Sequence, residues 1–278
     1  MTSPNLFLVG IQKCGSSSLF NILSKHKDII CSDPKETFAL TDNTSSNFNS
    51  KINISNSEFR WDDYFENQNA KYYLEGSVNN FYQNSALEYI SNLSERKVIF
   101  IVRDPIKRFI STFNYYGRKI TQFKSINNLD EYFNIVSNYF DKIDNEGAKY
   151  AVEHGKYCQF IATWTKALGS ENVKVVVLER LISQPEEELK SLFNFLELPV
   201  LANTVIPHQN KTKNVINTRL NYFLLKYFRG LGLRKTFIGK FYRFMNTTPK
   251  KPSINNELKE KLINIYKSEY SIYGKSFN

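Results

Sequence analysis

Residues 7–23, FLVGIQKCGSSSLFNIL, leave this chain few ways to fold. An apolar run ends at Gly10, a short turn carries Lys13, Cys14 and Gly15, and Ser16, Ser17 and Ser18 open a helical pattern. A buried strand that turns sharply into a helix is the repeating unit of an α/β fold. Gly10 and Gly15 permit the tight turn and a close approach of backbone to ligand. Amides at a helix start have no intrahelical partner, and the helix dipole adds positive potential there. Together they form an anion site, and Lys13 lies inside the turn, where its ammonium can reach across the anion as a point charge.

The rest of the chain agrees with that start. Apolar, β-branched or aromatic runs predict strands at Leu6–Gly10, Tyr72–Glu75, Val98–Val102 and Val173–Leu178. Helical patterns follow the first, third and fourth, at Ser16–Lys25, Pro105–Tyr116 and Pro185–Leu196. Strands alternating with helices imply a parallel central sheet flanked by helices, with ligands at the strands' carboxyl ends. Thr41–Glu58 is rich in Asn and Ser and is expected as a long surface loop, and Asn255–Tyr270 as a terminal helix. No repeat or linker divides the chain. The expectation is a single domain over 1–278, α/β in class, in which 215–278 is a basic, mostly helical C-terminal extension.

Charge narrows the class of ligand. The net charge is +10, and from Val205 to the end there are 15 Lys and Arg against three Glu. Such a surface attracts anions: nucleotides, nucleic acid, lipid headgroups or acidic glycans. Residues 219–245 mix basic and aromatic side chains at helical spacing, a pattern that fits a helical cover and can also make weak contact with a membrane surface. No apolar run approaches the ~18 residues that a span needs. The first ten residues show no leader pattern, and three cysteines, Cys14, Cys31 and Cys158, fit reduced thiols in a cytoplasmic protein. No Cys/His cluster has ligand spacing, so no metal site is expected.

A second anion site lies in VIFIVRDPIKRFISTFNYYG. The strand ends in Arg103, Asp104 is a good N-cap, and Pro105 suits the first helical position. Arg103 at the strand edge and Ser111 on the helix can converge on one phosphate, the guanidinium binding two oxygens and the hydroxyl a third. Lys107 and Arg108 read as an ordinary basic helix surface. The first turn differs from a nucleotide-triphosphate loop, whose Lys follows the second Gly; Ser16 occupies that slot here.

These two motifs together resemble the sulfotransferase family, in particular the branch with heparan sulfate and bacterial carbohydrate sulfotransferases. Lys13-Cys14-Gly15-Ser16-Ser17 matches the family's 5′-phosphosulfate loop, and Arg103, Asp104, Pro105 and Ser111 match its 3′-phosphate motif. Lys35-Glu36-Thr37-Phe38 stands where that branch places its catalytic base. Glu75-Gly76-Ser77-Val78 stands in place of an E-K-[ST]-P segment, so the second catalytic Lys is missing. The segments from Gly155 to Leu168 and from Val173 to Leu198 resemble the family's G-x-Y…W helix, fourth strand and closing helix. IPHQNKTKN resembles the loop that closes over the nucleotide, with Lys211 and Lys213 as phosphate contacts.

The resemblance implies transfer of a sulfuryl group from 3′-phosphoadenosine 5′-phosphosulfate (PAPS), without metal, to a hydroxyl or amine of a small-molecule natural product or a carbohydrate. The implied catalytic residues are Lys13 and Glu36, with His208 in reserve as the base; His26 and His154 are read as structural. Ser18 joins Lys13, Cys14, Gly15, Ser16 and Ser17 around the nucleotide. Nucleic acid is not expected as a partner, and the oligomeric state is open. Two other readings stand beside this one: a small-molecule kinase using ATP, and a basic protein that binds membranes or nucleic acid.

Overall fold

The computed structural model describes residues 3–201 apart from 67, 117–119, 121, 122, 124, 125 and 127, the short pairs 214–215 and 247–248, and residues 253–277. Its centre is a five-stranded sheet: β1 Leu6–Gly10, β2 Ile29–Cys31, β3 Tyr72–Glu75, β4 Lys97–Val102 and β5 Val173–Val177. The order is β2-β3-β1-β4-β5, and every pairing is parallel. Parallel sheets are covered on both faces. All five residues of β1 are buried accordingly, as are five of the six in β4.

The chain leaves β1 for the far edge at β2, returns through β3, and then crosses to β4 on the other side of β1. That reversal makes the carboxyl end of β1 a topological switch point, where open α/β sheets bind ligands. The turn after β1 and the end of β4 are therefore neighbours.

Helices α1 Ser16–Leu23, α2 Asn84–Ser91, α3 Pro105–Tyr116, α4 Leu129–Asn138, α5 Glu146–Lys149, α6 Tyr157–Leu168, α7 Leu178–Ser183 and α8 Pro185–Phe195 surround the sheet. The strands expected from sequence are present. The fourth stops at Val177, because Leu178 already opens α7. Strand β2, with three residues, and α2, with only Ala86 and Ile90 buried, are too short or too polar to show a clear period. Residues 41–58 form no helix or strand, but they are tied down. The Asn53 amide donates to the Thr41 carbonyl at 2.8 Å, and Ser45 Oγ donates to Glu146 at 2.7 Å.

The terminal helix expected over Asn255–Tyr270 is two, α9 Asn256–Ile265 and α10 Lys267–Tyr273, separated at Tyr266. The Asn255 side chain caps α9 by accepting from the Leu258 amide at 2.8 Å. Leu258, Leu262 and Tyr266 join Phe109, Tyr132 and Val136 in a second core on the outer side of α3. Tyr266 donates to the Val152 carbonyl at 3.0 Å, and a Cβ on Gly155 would meet the Tyr266 ring at 2.7 Å. The described end of the tail thus packs into the body and backs α3, the helix that follows the second anion motif. The segment 219–245 lies outside the described residues.

Candidate active site

The turn after β1 has the backbone its glycines predict. Gly15 has φ 93° and Lys13 φ 68°, both left-handed. A side chain at Gly15 would strike Leu178 at 2.8 Å, so the position requires Gly for space as well as for φ. Gly15 is the N-cap of α1, and no side chain caps that helix. Its first amides are thereby left for an external anion. Ser16 and Ser18 are buried beside it, and the Gly15 carbonyl accepts from the Ser18 amide at 3.0 Å. The Lys13 ammonium sits over the Tyr115 ring, 3.9 Å from its centroid, a cation–π contact supplied by the end of α3.

Cys14 faces inward. It is fully buried, its Sγ lies 3.8 Å from the Tyr157 hydroxyl, and burial pushes its thiol up to about 11. It is a neutral thiol at physiological pH, so only its backbone serves the turn.

At the end of β4, Arg103 Nη1 donates to the Lys13 carbonyl at 3.3 Å and joins the two anion motifs directly. Its Nε is buried with no protein partner. Asp104 caps α3 as expected, accepting from the Lys107 amide at 2.8 Å. Ser111 is half-buried two turns along α3. Lys107 is half-exposed and donates to the Phe277 carbonyl at 3.2 Å. The surface reading fails for Arg108, which is 0% exposed. Residue 108 faces the turn after β1 and the second core, a placement that three- and four-residue spacing alone does not distinguish from an outward one.

Across the turn stands the loop after β2. Lys35 Nζ donates to Glu36 Oε1 at 3.0 Å and to the Gly76 carbonyl at 2.9 Å. The Glu36 side chain is 36% exposed, with its carboxylate held by that ammonium. A Cβ on Gly76 would meet Phe20 at 2.8 Å and Lys35 Cγ at 3.0 Å. The Lys35 stem thus lies where a side chain at position 76 would begin.

The loop is held from below by Glu75, a residue that sequence reasoning left without a role. Glu75 is 0% exposed and has five donors. Oε1 accepts from the Thr37 amide at 3.3 Å, Thr37 Oγ1 at 2.9 Å, the Ser77 amide at 3.0 Å and Ser77 Oγ; Oε2 accepts from Asn80 at 2.9 Å. Ser77 Oγ in turn accepts from the Phe38 amide at 3.0 Å. Burial raises the Glu75 carboxyl above the ordinary 4.5, against hydrogen bonds from Ser77 and Thr37 that favour the anion. A carboxyl raised in the folded state makes stability that is present below pH 4.5 and is lost as pH rises through the folded value. Glu75→Gln should therefore flatten stability against pH in urea titrations between about pH 4 and 8, and cost ~1–3 kcal/mol near neutrality by leaving one donor unmade. A variant curve parallel to the wild-type one would show that another group titrates.

Gln12 ties these parts together. Its Nε2 donates to Asn79 Oδ1, and its Oε1 accepts from Tyr116 Oη at 2.9 Å. A Cβ at Gly147 would displace that hydroxyl and the Gln12 amide, so a side chain there would disturb this contact. Burial pushes the Tyr116 phenol up to about 12, with smaller upward contributions from Tyr115 and from the charge of Glu36. The turn after β1, the Lys35–Glu36 loop and the end of α3 are therefore neighbours at the carboxyl edge of the sheet.

The family model for the sulfotransferase domain matches residues 3–274. The chain belongs to the sulfotransferase family. A sulfotransferase from Alicyclobacillus acidocaldarius has the same fold, at 20% identity and TM-score 0.60, over 82% of this chain and 92% of that one. A sulfotransferase domain from the curacin biosynthetic pathway matches at 15% identity and TM-score 0.47, over 76% and 80% of the two chains. Mouse sulfotransferase SULT7A1, complexed with PAP, matches at 14% and 0.46, over 88% and 90%. No curated protein matches the sequence significantly.

The chain is accordingly a PAPS-dependent sulfotransferase. In this sulfotransferase Lys13, Gly15, Ser16, Ser17 and Ser18 share one turn, Arg103 touches that turn, and Glu36 lies on the facing loop. His208, Lys211 and Lys213 lie outside the described residues. His26 and His154 are both buried. His26 Nε2 pairs with the Pro199 carbonyl at 3.1 Å, and His154 stacks on Tyr82 with burial holding its pKa well below 6.5. Among the described residues no group of three His, Cys, Asp or Glu could hold a metal, and no helix is long and apolar enough to cross a membrane.

Proposed function

We propose that this sulfotransferase moves the sulfuryl group of PAPS to a hydroxyl or amine of a small-molecule natural product, with a carbohydrate acceptor as the second reading. The observation that carries the donor side is the Arg103–Lys13 contact, 3.3 Å from guanidinium to carbonyl, which brings the two anion motifs to one place. The residues fit a nucleotide with phosphates at both ends: an uncapped helix start on one side, and on the other a strand-end Arg whose Nε has no protein partner.

PAPS supplies an activated sulfuryl group on a phosphate leaving group. Lys13 and the first amides of α1 stabilise the charge that gathers on that phosphate, an arrangement set before reaction and costing no reorganisation. Arg103 and Ser111 hold the 3′-phosphate. Glu36 takes the acceptor's proton, with Lys35 fixing its carboxylate and Glu75 fixing the loop. Lys211 and Lys213 add phosphate contacts, and His208 is the reserve base. A screen of acceptors with labelled donor decides between natural products and sugars.

Arg103→Ala and Ser111→Ala should each weaken 3′-phosphoadenosine 5′-phosphate (PAP) by roughly 10- to 100-fold, the scale of one or two charge-assisted hydrogen bonds. Adenosine 5′-monophosphate, which lacks the 3′-phosphate, should be nearly unaffected. Calorimetry with the two nucleotides checks the assignment, and equal losses for both would refute it. Tighter binding of ATP with magnesium than of PAP would instead favour the kinase reading.

A further inference from the structure

Among the described residues, Arg108 is a buried cation with no anion beside it. It is 0% exposed, its Nε donates to the Gln12 carbonyl at 3.2 Å, and its Nη1 donates to the Ala151 carbonyl at 2.7 Å. Nη2 is buried without a partner. Among the described residues no carboxylate lies within ion-pair distance of it. Its electrostatic neighbours include Cys14, Tyr116, Tyr132, Tyr157 and Tyr266, whose titrations burial pushes upward, and His154, which burial keeps neutral. All six are uncharged at neutral pH.

Taking an ammonium or guanidinium out of water is costly, and an opposite charge normally offsets the cost. Here the protein offers two carbonyls and one empty donor. The carbonyl that accepts from Nε belongs to Gln12, the residue before Lys13. In a trans peptide the C=O and the following N–H point in opposite directions. Anchoring the Gln12 carbonyl toward Arg108 therefore directs the Lys13 amide to the other side of the turn. The missing counter-charge and the oriented peptide both point to the anion side of the turn.

We propose that Arg108 is a positioning residue for the 5′-phosphosulfate: a cation buried behind the turn, whose counter-charge is the bound nucleotide itself. This rests on the reading that the turn binds the 5′ end of PAPS. A unit charge ~8 Å behind an anion, at an effective dielectric near ~20, is worth roughly 30-fold in affinity. The same charge has no protein counter-ion to lose, so its removal subtracts carbonyl hydrogen bonds from the nucleotide-free protein but breaks no ion pair.

The experiment compares Arg108→Gln and Arg108→Lys with wild type by calorimetry, using PAP and adenosine 3′-monophosphate, which lacks the 5′ group. Arg108→Gln should bind PAP roughly 10- to 100-fold more weakly and adenosine 3′-monophosphate within about threefold of wild type. Arg108→Lys, which keeps the charge, should recover most of the PAP affinity. Equal losses of both nucleotides in Arg108→Gln would mean a general packing role and overturn the proposal. Should Arg108→Gln not fold, the lysine variant carries the test: a folded Arg108→Lys that loses PAP as badly as an uncharged site would, by roughly 30-fold, overturns it. If wild type binds adenosine 3′-monophosphate as tightly as PAP, the 5′ reading of the turn fails, and this proposal with it.

Discussion

Lys13→Ala should lower kcat by roughly 10²- to 10³-fold, the loss seen when a fixed charge stabiliser is taken from a transition state. Lys13 is one of two left-handed residues in the turn, with Gly15 the other, and its ammonium lies 3.9 Å from the Tyr115 centroid. Ala meets the same steric cost as Lys at φ 68°, so the substitution tests the side chain rather than the turn. Charge on the bridging oxygen of the leaving phosphate grows as the sulfuryl group departs. The ammonium therefore binds the transition state more tightly than the bound donor, and that difference is what accelerates the step. PAP affinity should fall less than kcat. Steady-state kinetics with labelled donor check this, and a raised KM with kcat unchanged would show that Lys13 contributes only uniform binding.

Glu36→Gln should keep PAP binding and lose roughly 10²- to 10⁴-fold in transfer to a hydroxyl acceptor, the usual worth of a general base. Its side chain is 36% exposed, and Lys35 holds Oε1 at 3.0 Å. The amide keeps nearly the same shape but cannot accept a proton. The effect should shrink with an amine acceptor of low pKa, which needs less help. His208→Ala is measured beside it. A Glu36→Gln enzyme with near-wild-type kcat on a hydroxyl, together with an inactive His208→Ala, would move the base to His208.

The two predictions differ in what supports them. Lys13 sits in a turn whose left-handed backbone and Gly15 N-cap are set within a few residues. Glu36 sits on a loop that its own sequence does not hold. Thr37 hangs on Glu75, Phe38 on Ser77, and Lys35 on the Gly76 carbonyl. The contact between Lys35 and Gly76 spans 41 positions in the chain. The Gly76 departure from the family's E-K-[ST]-P pattern reads as a loss in sequence. In the folded chain the same gap accommodates the stem of Lys35, with Phe20 closing the other side.

What the sequence determined by itself was local. Apolar runs of four to six residues specify buried strands, and Gly15 at positive φ turns the chain into α1, whose start no side chain caps. Asp104 and Pro105 start α3 by their own chemistry. Tertiary structure decided which of the equally spaced cations is exposed and which is buried. Lys107 is half-exposed, whereas Arg108 lies under the phosphate turn, bonded to a carbonyl 96 positions away. It also decided that Glu75, an unremarkable strand-end acid, would gather five donors from the segments that follow β2 and β3. The reason is physical. A turn or a cap is set by interactions within a few residues, whereas burial of a charge depends on which distant segments the parallel crossovers bring against it.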